Sequence, residues 1–144
     1  RTGRLKLLLL YVRKGGNHDH VSTNDENRKR LKLKGYRAYK QARVLTRREK
    51  GSRALKVYWN KKTKDGMTIA HQKSERYAKK AGYTFAGHLG YVYTRKRPGT
   101  VELKLYWNGA RKDYFLTANK VDEKNAKKQR YRLIRSEGWA YPAR

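Results

Sequence analysis

The chain has 144 residues and a formal net charge of +28 at pH 7, from 39 Lys and Arg against 11 Asp and Glu, with the 4 His counted as neutral. This length is typical of one compact domain, so we predict a single domain over residues 1–144. Because like charges repel in a compact state, the imbalance indicates a polyanionic partner, and the absence of Cys excludes a disulfide framework and a thiolate metal site.

Aromatic residues indicate that the chain folds despite its charge. Hydrophobic residues make up 37% of the sequence, and low hydrophobicity with high net charge is a signature of disorder. However, 12 Tyr, 3 Trp and 2 Phe recur at regular positions, as they do in a chain with a packed core. We therefore predict an ordered core.

The first predicted element is a strand in the apolar segment 7–12. The segment is too short to cross a bilayer, so no membrane span is predicted. His18, Asp19 and His20 follow in a predicted turn. Although these residue types bind first-row metals, adjacent turn positions rarely converge on one ion, so we predict no metal site and no cofactor.

A sequence repeat organises the rest of the chain. Residues 55–93 and 103–141 align without a gap at an offset of 48, the separation of Trp59 and Trp107. The agreement extends over too many positions to be chance. The matched positions include Leu55 and Leu103, Tyr58-Trp59-Asn60 and Tyr106-Trp107-Asn108, Asp65 and Asp113, Glu75 and Glu123, and Tyr83 and Tyr131.

A divergent first copy precedes these two. Residues 8–11 match residues 55–58, and Gly35-Tyr36 matches Gly82-Tyr83. Asp19 falls near the Asp65 position after a shift of one residue. The three repeats are predicted to span about residues 4–46, 54–94 and 102–142.

Each repeat follows one predicted order of elements, clearest in the third copy. Leu103, Leu105 and Trp107 alternate with polar or half-buried residues, which predicts a strand. A turn over residues 109–113 and a second strand over 114–118 follow. We then predict a helix over 121–129, whose counterpart is 74–81, and two further short strands over 131–134 and 139–141.

The predicted fold class is mainly β, with three tandem repeats of about 48 residues, each containing a short helix. A repeat of this size cannot bury its apolar face alone, so the three copies should form one cooperative unit. We predict a β-trefoil-like arrangement with pseudo-three-fold symmetry. The alternative is a small β-rich α+β assembly in which the helices cover the sheet.

The Tyr-Trp-Asn triplets allow two interpretations. Aromatic faces stack on sugars and Asn bonds hydroxyl groups, so the triplets are compatible with a lectin. We favour a structural role in which Trp59 and Trp107 belong to the core, the tyrosines are half exposed and the asparagines begin the turn.

No catalytic residue is predicted, and we expect that the protein is not an enzyme. Asp65 and Asp113 occupy equivalent repeat positions, so we interpret them as turn-forming residues and not as an acid–base pair. Glu75 and Glu123 are predicted to lie in the first turn of each helix, where a carboxylate complements the helix dipole.

Basic clusters are the strongest functional signal, because about 2 to 8 net charges suffice for the solubility of a small domain. They recur in the turns and helices of all three copies and in the linkers near 47–53 and 95–100. A protein that binds a DNA or RNA duplex concentrates its positive charge on one stripe of the surface. The distributed charge of this chain therefore favours a protein that is surrounded by several anionic neighbours. The predicted polyanion-binding residues are Arg28, Lys29, Arg30, Arg47, Arg48, Lys61, Lys62, Lys64, Arg95, Lys96, Arg97, Arg111, Lys112, Lys127, Lys128 and Arg130.

The third copy carries a resemblance to a known family. Its run Leu-Lys-Leu-Tyr-Trp-Asn at 103–108, followed by Asp113, Tyr131 and Glu137-Gly138-Trp139, resembles a tandem repeat of secreted proteins from invertebrates and bacteria. The resemblance covers copies two and three well and copy one poorly. It implies a trefoil-like lectin or matrix domain and an extracellular location.

The repeat and the extreme basicity together are similar to basic companion proteins of silicatein in the axial filament of sponges. That similarity implies a structural protein that bridges silicatein molecules and faces silica. The leading hypothesis is therefore a secreted, non-enzymatic protein that binds an acidic protein, silica or both in an extracellular or biomineral assembly. An RNA-binding protein and a carbohydrate binder remain the alternatives.

Overall fold

A computed structural model describes residues 5–13 and 20–144 and has a mainly β architecture. Three consecutive units each have the order strand, strand, helix, strand. Unit 1 comprises β1 (Leu5–Val12), β2 (His20–Thr23), α1 (Asp25–Arg28) and β3 (Arg37–Leu45). Unit 2 comprises β4 (Ser52–Asn60), β5 (Asp65–Ile69), α2 (Gln72–Lys80) and β6 (Thr84–Tyr93). Unit 3 comprises β7 (Val101–Asn108), β8 (Asp113–Thr117), α3 (Lys120–Lys128) and β9 (Arg132–Pro142).

Antiparallel pairing follows the same scheme in every unit, because the first strand lies between the second and the third. The third strands then join the units to one another. Leu45 of β3 pairs with Tyr91 of β6, Tyr93 of β6 pairs with Trp139 of β9, and Arg43 of β3 pairs with Tyr141 of β9. All nine strands therefore belong to one sheet, and the prediction of a mainly β fold is confirmed.

The end of each unit differs from the prediction. The two short strands expected over 131–134 and 139–141 are one continuous strand, β9, which pairs with β7 along its length. The pairing shifts register between Leu103 and Lys104 and between Leu105 and Tyr106. Such irregularities bend a strand without ending it, so the apparent break in the sequence is not a break in the ladder.

The predicted helices are confirmed to within two residues at each end. The residue before each helix caps it through a side-chain acceptor, as expected at this position. Asn119 accepts from the backbone N of Asp122 at 2.8 Å and His71 accepts from that of Lys73 at 3.0 Å. In the part of the chain that the structure describes, no helix is long and apolar enough to cross a membrane.

The core lies where the three units meet. Leu8, Leu55 and Leu103, which occupy equivalent positions in the first strands, are at most 1% exposed. The second strands β2, β5 and β8 each contact the other two. The first residues of these second strands are thereby brought together at the centre of the molecule, although more than 40 residues of sequence separate each from the next.

Candidate polyanion-binding site

Many of the predicted cationic residues lie at one end of the strands, which we call the turn end. Lys61, Lys62 and Lys64 form the turn between β4 and β5, and Arg111 and Lys112 lie in the turn between β7 and β8. Hydrogen bonds attach each turn to the C-terminus of the helix in the same unit.

These attachments use the asparagines of the Tyr-Trp-Asn triplets. The amide of Asn60 donates to the carbonyl O of Ala81 at 3.5 Å, and that of Asn108 donates to the carbonyl O of Gln129 at 2.9 Å. The helix C-termini carry Lys127, Lys128 and Arg130 in unit 3, and Arg28, Lys29 and Arg30 in unit 1.

The remaining predicted residues lie at the opposite end of the strands, the linker end. Arg47 and Arg48 follow β3, and Arg95, Lys96 and Arg97 follow β6. The Arg97 guanidinium donates to the carbonyl O of Lys50 at 2.9 Å and stands 4.0 Å from the Tyr93 ring centroid. The two linker clusters are thus neighbours, and an aromatic face holds a cation between them.

Carboxylates neutralise little of the positive charge on the surface, because several of them are buried in the interior. Asp65, Asp113, Asp122 and Glu137 are buried. Glu137 accepts hydrogen bonds from the backbone N of Ala70 and of His71, both at 2.8 Å, across the contact between units 3 and 2. The surface is consequently more cationic than an even distribution of the acidic residues would make it.

One cleft at the turn end, which we call the cationic cleft, concentrates positive charge. It has a volume of about 560 Å³. It brings together the predicted residues Arg30, Lys61 and Lys64 from two different units. No carboxylate stands among the described residues that line it, which are Arg13, Arg30, Leu31, Lys32, Tyr36, Trp59, Lys61 and Lys64.

Arg13 is a functional candidate that is not among the basic clusters predicted from the sequence. Its guanidinium carbon lies 5.2 Å from the Tyr36 ring centroid. Its Nε is buried and has no hydrogen-bond partner among the described residues. Arg30 is held by a hydrogen bond from its Nη2 to Asn27 Oδ1 at 2.7 Å.

Two aromatic side chains, those of Tyr36 and Trp59, line the cleft together with the cations. Burial raises the pKa of Tyr36, although the nearby Arg13 cation opposes the shift. Trp59 is half-buried beside Lys61 and Lys64. Guanidinium and ammonium groups arranged in this way make charge-assisted hydrogen bonds to an anion that has several oxygens.

The Tyr-Trp-Asn triplets have largely structural roles. Trp59 and Trp107 are half-buried and pack against the core, and Asn60 Oδ1 accepts from the backbone N of Lys62 at 2.9 Å, so the predicted roles of Trp and Asn are supported. The expectation of half-exposed tyrosines is wrong, since Tyr58 and Tyr106 are 3% and 2% exposed.

These tyrosines belong to the packed core, and their hydroxyl groups bond the helix carboxylates. Tyr58 donates to Glu75, and Tyr106 donates to Glu123 at 2.9 Å. Glu75 and Glu123 lie in the first turns of α2 and α3, as predicted. Hydrogen bonds from Lys104 and Tyr106 hold the pKa of Glu123 below its usual range.

The interpretation of Asp65 and Asp113 as turn-forming residues is wrong, because both begin strands and are 0% exposed. Asp65 Oδ2 accepts from the Tyr83 hydroxyl at 2.6 Å and Asp113 Oδ2 from the Tyr131 hydroxyl at 2.5 Å. Burial and the neighbouring Asp113 carboxylate raise the pKa of Asp65 well above its usual value. The recurrence of Asp and Tyr 18 residues apart in both copies was the available signal.

In unit 1, His20 lies one residue after the position that Asp65 and Asp113 occupy in units 2 and 3. Val12 pairs with His20, as Trp59 pairs with Gly66 and Trp107 pairs with Tyr114. His18 and Asp19 lie outside the described residues, and within those residues no group of three His, Asp or Glu is placed to hold a metal.

Comparison with known proteins identifies the family. The sequence matches a family model described as a domain of unknown function (DUF5648) over residues 7–143, and the chain belongs to this family. The match takes in all three units. No curated protein and no solved structure matches the chain.

Proposed function

We propose that this member of the DUF5648 family is a non-enzymatic structural protein that binds polyanionic partners and bridges them in an extracellular or biomineral assembly. The cationic cleft is the observation that carries the proposal, because five cationic side chains line it and no carboxylate does among the described residues. Its ligands are an acidic protein, silica or both. Silica carries deprotonated silanol groups at neutral pH, and Lys and Arg bind such oxygens through charge-assisted hydrogen bonds.

Bridging is supported by the separation of the two cationic ends. The strand β4 has nine residues and runs from the linker end at Ser52 to the turn end at Asn60. At about 3.3 Å per residue, the ends lie on the order of 25 to 30 Å apart. An anion bound at one end therefore leaves the other end accessible. Silicatein as the acidic partner rests on the sequence resemblance.

We further infer that the three units are related by a pseudo-three-fold axis in a β-trefoil-like arrangement. Two observations support this inference. The order of elements is the same in each unit, and the third strands β3, β6 and β9 pair with one another in a ring. Such an arrangement would hold the cationic turns in a fixed relation to one another.

RNA binding is the second candidate function, and the aromatic walls of the cleft favour it. Trp59 and Tyr36 flank the cations, and proteins that bind single-stranded nucleic acids combine cationic grooves with aromatic side chains. A carbohydrate-binding role for the triplets is less favoured, because their tyrosines are buried and their asparagines bond the backbone.

Quantitative binding to four polyanions distinguishes these functions. Colloidal silica, polyaspartate, tRNA and duplex DNA are compared at about 0.15 M salt, where long-range attraction is screened. We expect silica and polyaspartate to bind more tightly than tRNA and duplex DNA. Nanomolar affinity for tRNA with weak silica binding would refute the proposed function and favour the RNA-binding alternative. Inhibition by a neutral sugar would favour the lectin.

The cleft itself is tested with two triple variants that remove the same charge. Arg30→Gln, Lys61→Gln and Lys64→Gln remove cations from the cleft. The control replaces Lys112, Lys127 and Lys128 with Gln. Lys64 and Lys112 have nearly the same backbone φ, 55° and 54°, so each variant changes one lysine with a positive φ.

We expect the cleft variant to lose about tenfold or more in affinity for silica or polyaspartate, since each paired charge contributes on the order of 0.5 to 1 kcal/mol. The control should lose about threefold or less. Affinity is measured by sedimentation with silica and by calorimetry with polyaspartate. Equal losses of affinity in the two variants would show that net charge, and not the cleft, determines binding of the anion.

A further inference from the structure

A second pocket, between unit 1 and unit 3, differs in character from the cationic surface. It has a volume of about 420 Å³, and we call it the neutral pocket. Its walls are largely apolar, formed by Leu10, Val12, Phe115 and Val121. Lys40 is the cationic residue and Asp122 the carboxylate among the described lining residues.

His20 lies against this pocket and is 4% exposed. Its ring stacks on Phe115 with centroids 3.7 Å apart and planes 7° apart. Its Nδ1 lies 2.8 Å from Asp113 Oδ2. An ionised carboxylate only accepts hydrogen bonds, so in the neutral ring this contact favours the tautomer with the proton on Nδ1, in which Nε2 is an acceptor.

The acceptor Nε2 forms no hydrogen bond to the part of the chain that the structure describes. The Nδ1 edge of the ring faces the buried centre, where Asp113 and the Tyr131 hydroxyl lie. Since the ring also lines the neutral pocket, its opposite edge, with Nε2, reaches the pocket. An acceptor that is held in a fixed orientation at a pocket can accept a hydrogen bond from a ligand.

Three other polar side chains around the neutral pocket, those of Gln41, Asp122 and Asn119, already form hydrogen bonds. The Gln41 amide donates to the carbonyl O of Leu116 at 2.6 Å and to Asp122 Oδ2 at 3.2 Å. Asp122 Oδ2 also accepts from the backbone N of Ala118 at 3.1 Å, and Asn119 Oδ1 caps α3. The pocket offers a ligand the apolar wall and the Nε2 of His20, beside the polar side chains of Tyr39, Lys40, Asn125 and Gln129.

The corresponding contact between units 3 and 2 is closed by polar side chains. Arg135 of β9 donates to the Ser74 hydroxyl at 2.7 Å, and Glu137 accepts from the same hydroxyl at 2.5 Å. In unit 1, Gln41 of β3 reaches towards α3, but the space beside it remains open as the neutral pocket. The pocket thus belongs to one of the contacts between units.

We propose that the neutral pocket binds a small uncharged molecule with an apolar ring and one hydroxyl group, a phenol or cyclic alcohol, whose hydroxyl donates to His20 Nε2. The lining explains the selectivity. The apolar walls exclude water from a ring, and His20 Nε2 accepts a hydrogen bond from one hydroxyl group. This function is additional to polyanion binding, and it uses none of the residues of the cationic cleft.

Titration of the full chain with phenol, followed by NMR, tests this proposal. Toluene is the matched probe, because it has nearly the same shape and no hydrogen-bond donor. We expect saturable shifts of the Leu10, Val12 and Val121 methyl signals and of the His20 Nε2 resonance. Phenol should bind about fivefold or more tightly than toluene, as expected for one hydrogen bond. Equal binding of the two probes, or shifts confined to other residues, would overturn the proposal.

Substitutions outside the core give an independent test. Val121 is 68% exposed on α3, so Val121→Trp should fill the mouth of the pocket and weaken phenol binding about tenfold or more. Lys73→Trp is the control, since Lys73 is exposed at the equivalent position of α2 and should leave phenol binding unchanged. Wild-type affinity in the Val121→Trp variant would refute the site.

His20→Phe keeps an aromatic ring against Phe115 and removes Nε2. In this variant phenol and toluene should bind equally, and a retained preference for phenol would contradict the assigned acceptor. If His20→Phe fails to fold, the comparison of Val121→Trp with Lys73→Trp still tests whether phenol binds in the neutral pocket. The Val121→Trp variant should also retain wild-type silica binding, so that failure of this inference and failure of the proposed function give different results.

Discussion

At the residue scale, the buried centre is unusual for a protein with so few acidic side chains. Asp65 and Asp113 are both fully buried and interact with each other, while Tyr83 and Tyr131 donate to them. Transfer of a carboxylate from water to such a place disfavours its charged form, and a second carboxylate adds repulsion. Hydrogen bonds from the two tyrosine hydroxyl groups offset part of the free-energy cost of burying the carboxylates. Protonation of Asp65 removes one of the two negative charges and lowers the cost further.

The raised pKa of Asp65 makes folding stability dependent on pH. Its ordinary value is 3.8, so above about pH 4 the native state holds a proton that the unfolded chain has lost. The free energy of unfolding therefore falls as pH rises from about 4 towards the raised pKa. Asp65→Asn removes this titration, so we expect the variant to lose less stability than the wild type as pH rises above about 4.

Urea unfolding followed by Trp fluorescence at several pH values measures this difference. Asp25→Asn is the control, because the Asp25 side chain is 75% exposed and its removal should leave the pH profile close to that of the wild type. Parallel profiles for wild type and Asp65→Asn would contradict a raised pKa at the centre.

At the scale of the elements, two glycines allow the third strands to approach one another. Gly90 and Gly138 have φ of 136° and 139°, a region that side chains with a Cβ rarely adopt. A Cβ on Gly90 would lie 2.6 Å from the carbonyl O of Leu45, and one on Gly138 would lie 2.8 Å from that of Tyr93. These contacts adjoin the pairings of β6 with β3 and of β9 with β6.

Gly138→Ala should therefore destabilise the protein through two effects. A left-handed backbone costs an alanine about 1 kcal/mol, and the clash with the neighbouring strand adds about 1 to 3 kcal/mol. Gly99→Ala separates these effects, because Gly99 has φ of 79° and a Cβ added there would meet nothing within 4 Å. We expect Gly99→Ala to cost about 1 kcal/mol and Gly138→Ala clearly more in urea unfolding. Equal costs would exclude a close approach of the strands.

At the scale of the whole molecule, the distribution of charge opposes folding and favours binding. Buried carboxylates leave the cations of the turn and linker ends with few acidic neighbours. A net charge of +28 on a chain of 144 residues repels itself in the compact state. A polyanionic partner relieves that repulsion, which links the stability of the protein to its proposed function.

Screening by salt should reproduce part of this effect. The Debye length falls from about 10 Å at 0.1 M to about 3 Å at 1 M, so monovalent salt weakens the repulsion between exposed cations. We expect the melting temperature to rise as sodium chloride increases from about 0.05 to 0.5 M. Differential scanning fluorimetry checks this, and a falling melting temperature would show that the few ion pairs outweigh the repulsion.

Local pattern predicted much of the architecture. The alternation of Leu103, Leu105 and Trp107 predicted β7, and the spacing around Ala126 predicted α3, because both patterns depend on neighbours within one element. Composition alone indicated the cationic character. The prediction of two strands in place of β9 failed because whether a strand continues depends on its partner β7, which no local pattern describes.

The sequence by itself determined a mainly β chain with a threefold order of elements and an excess of cations, because periodicity and charge are properties of the residues themselves. Only the tertiary structure brought Asp65, Asp113 and His20 to one buried centre and joined Arg13 to Lys61 and Lys64 in a cleft. These groups come from different units, and their distances are set by how the second and third strands of separate units pack. That packing is the sum of many contacts between residues far apart in the chain, so no short segment encodes it.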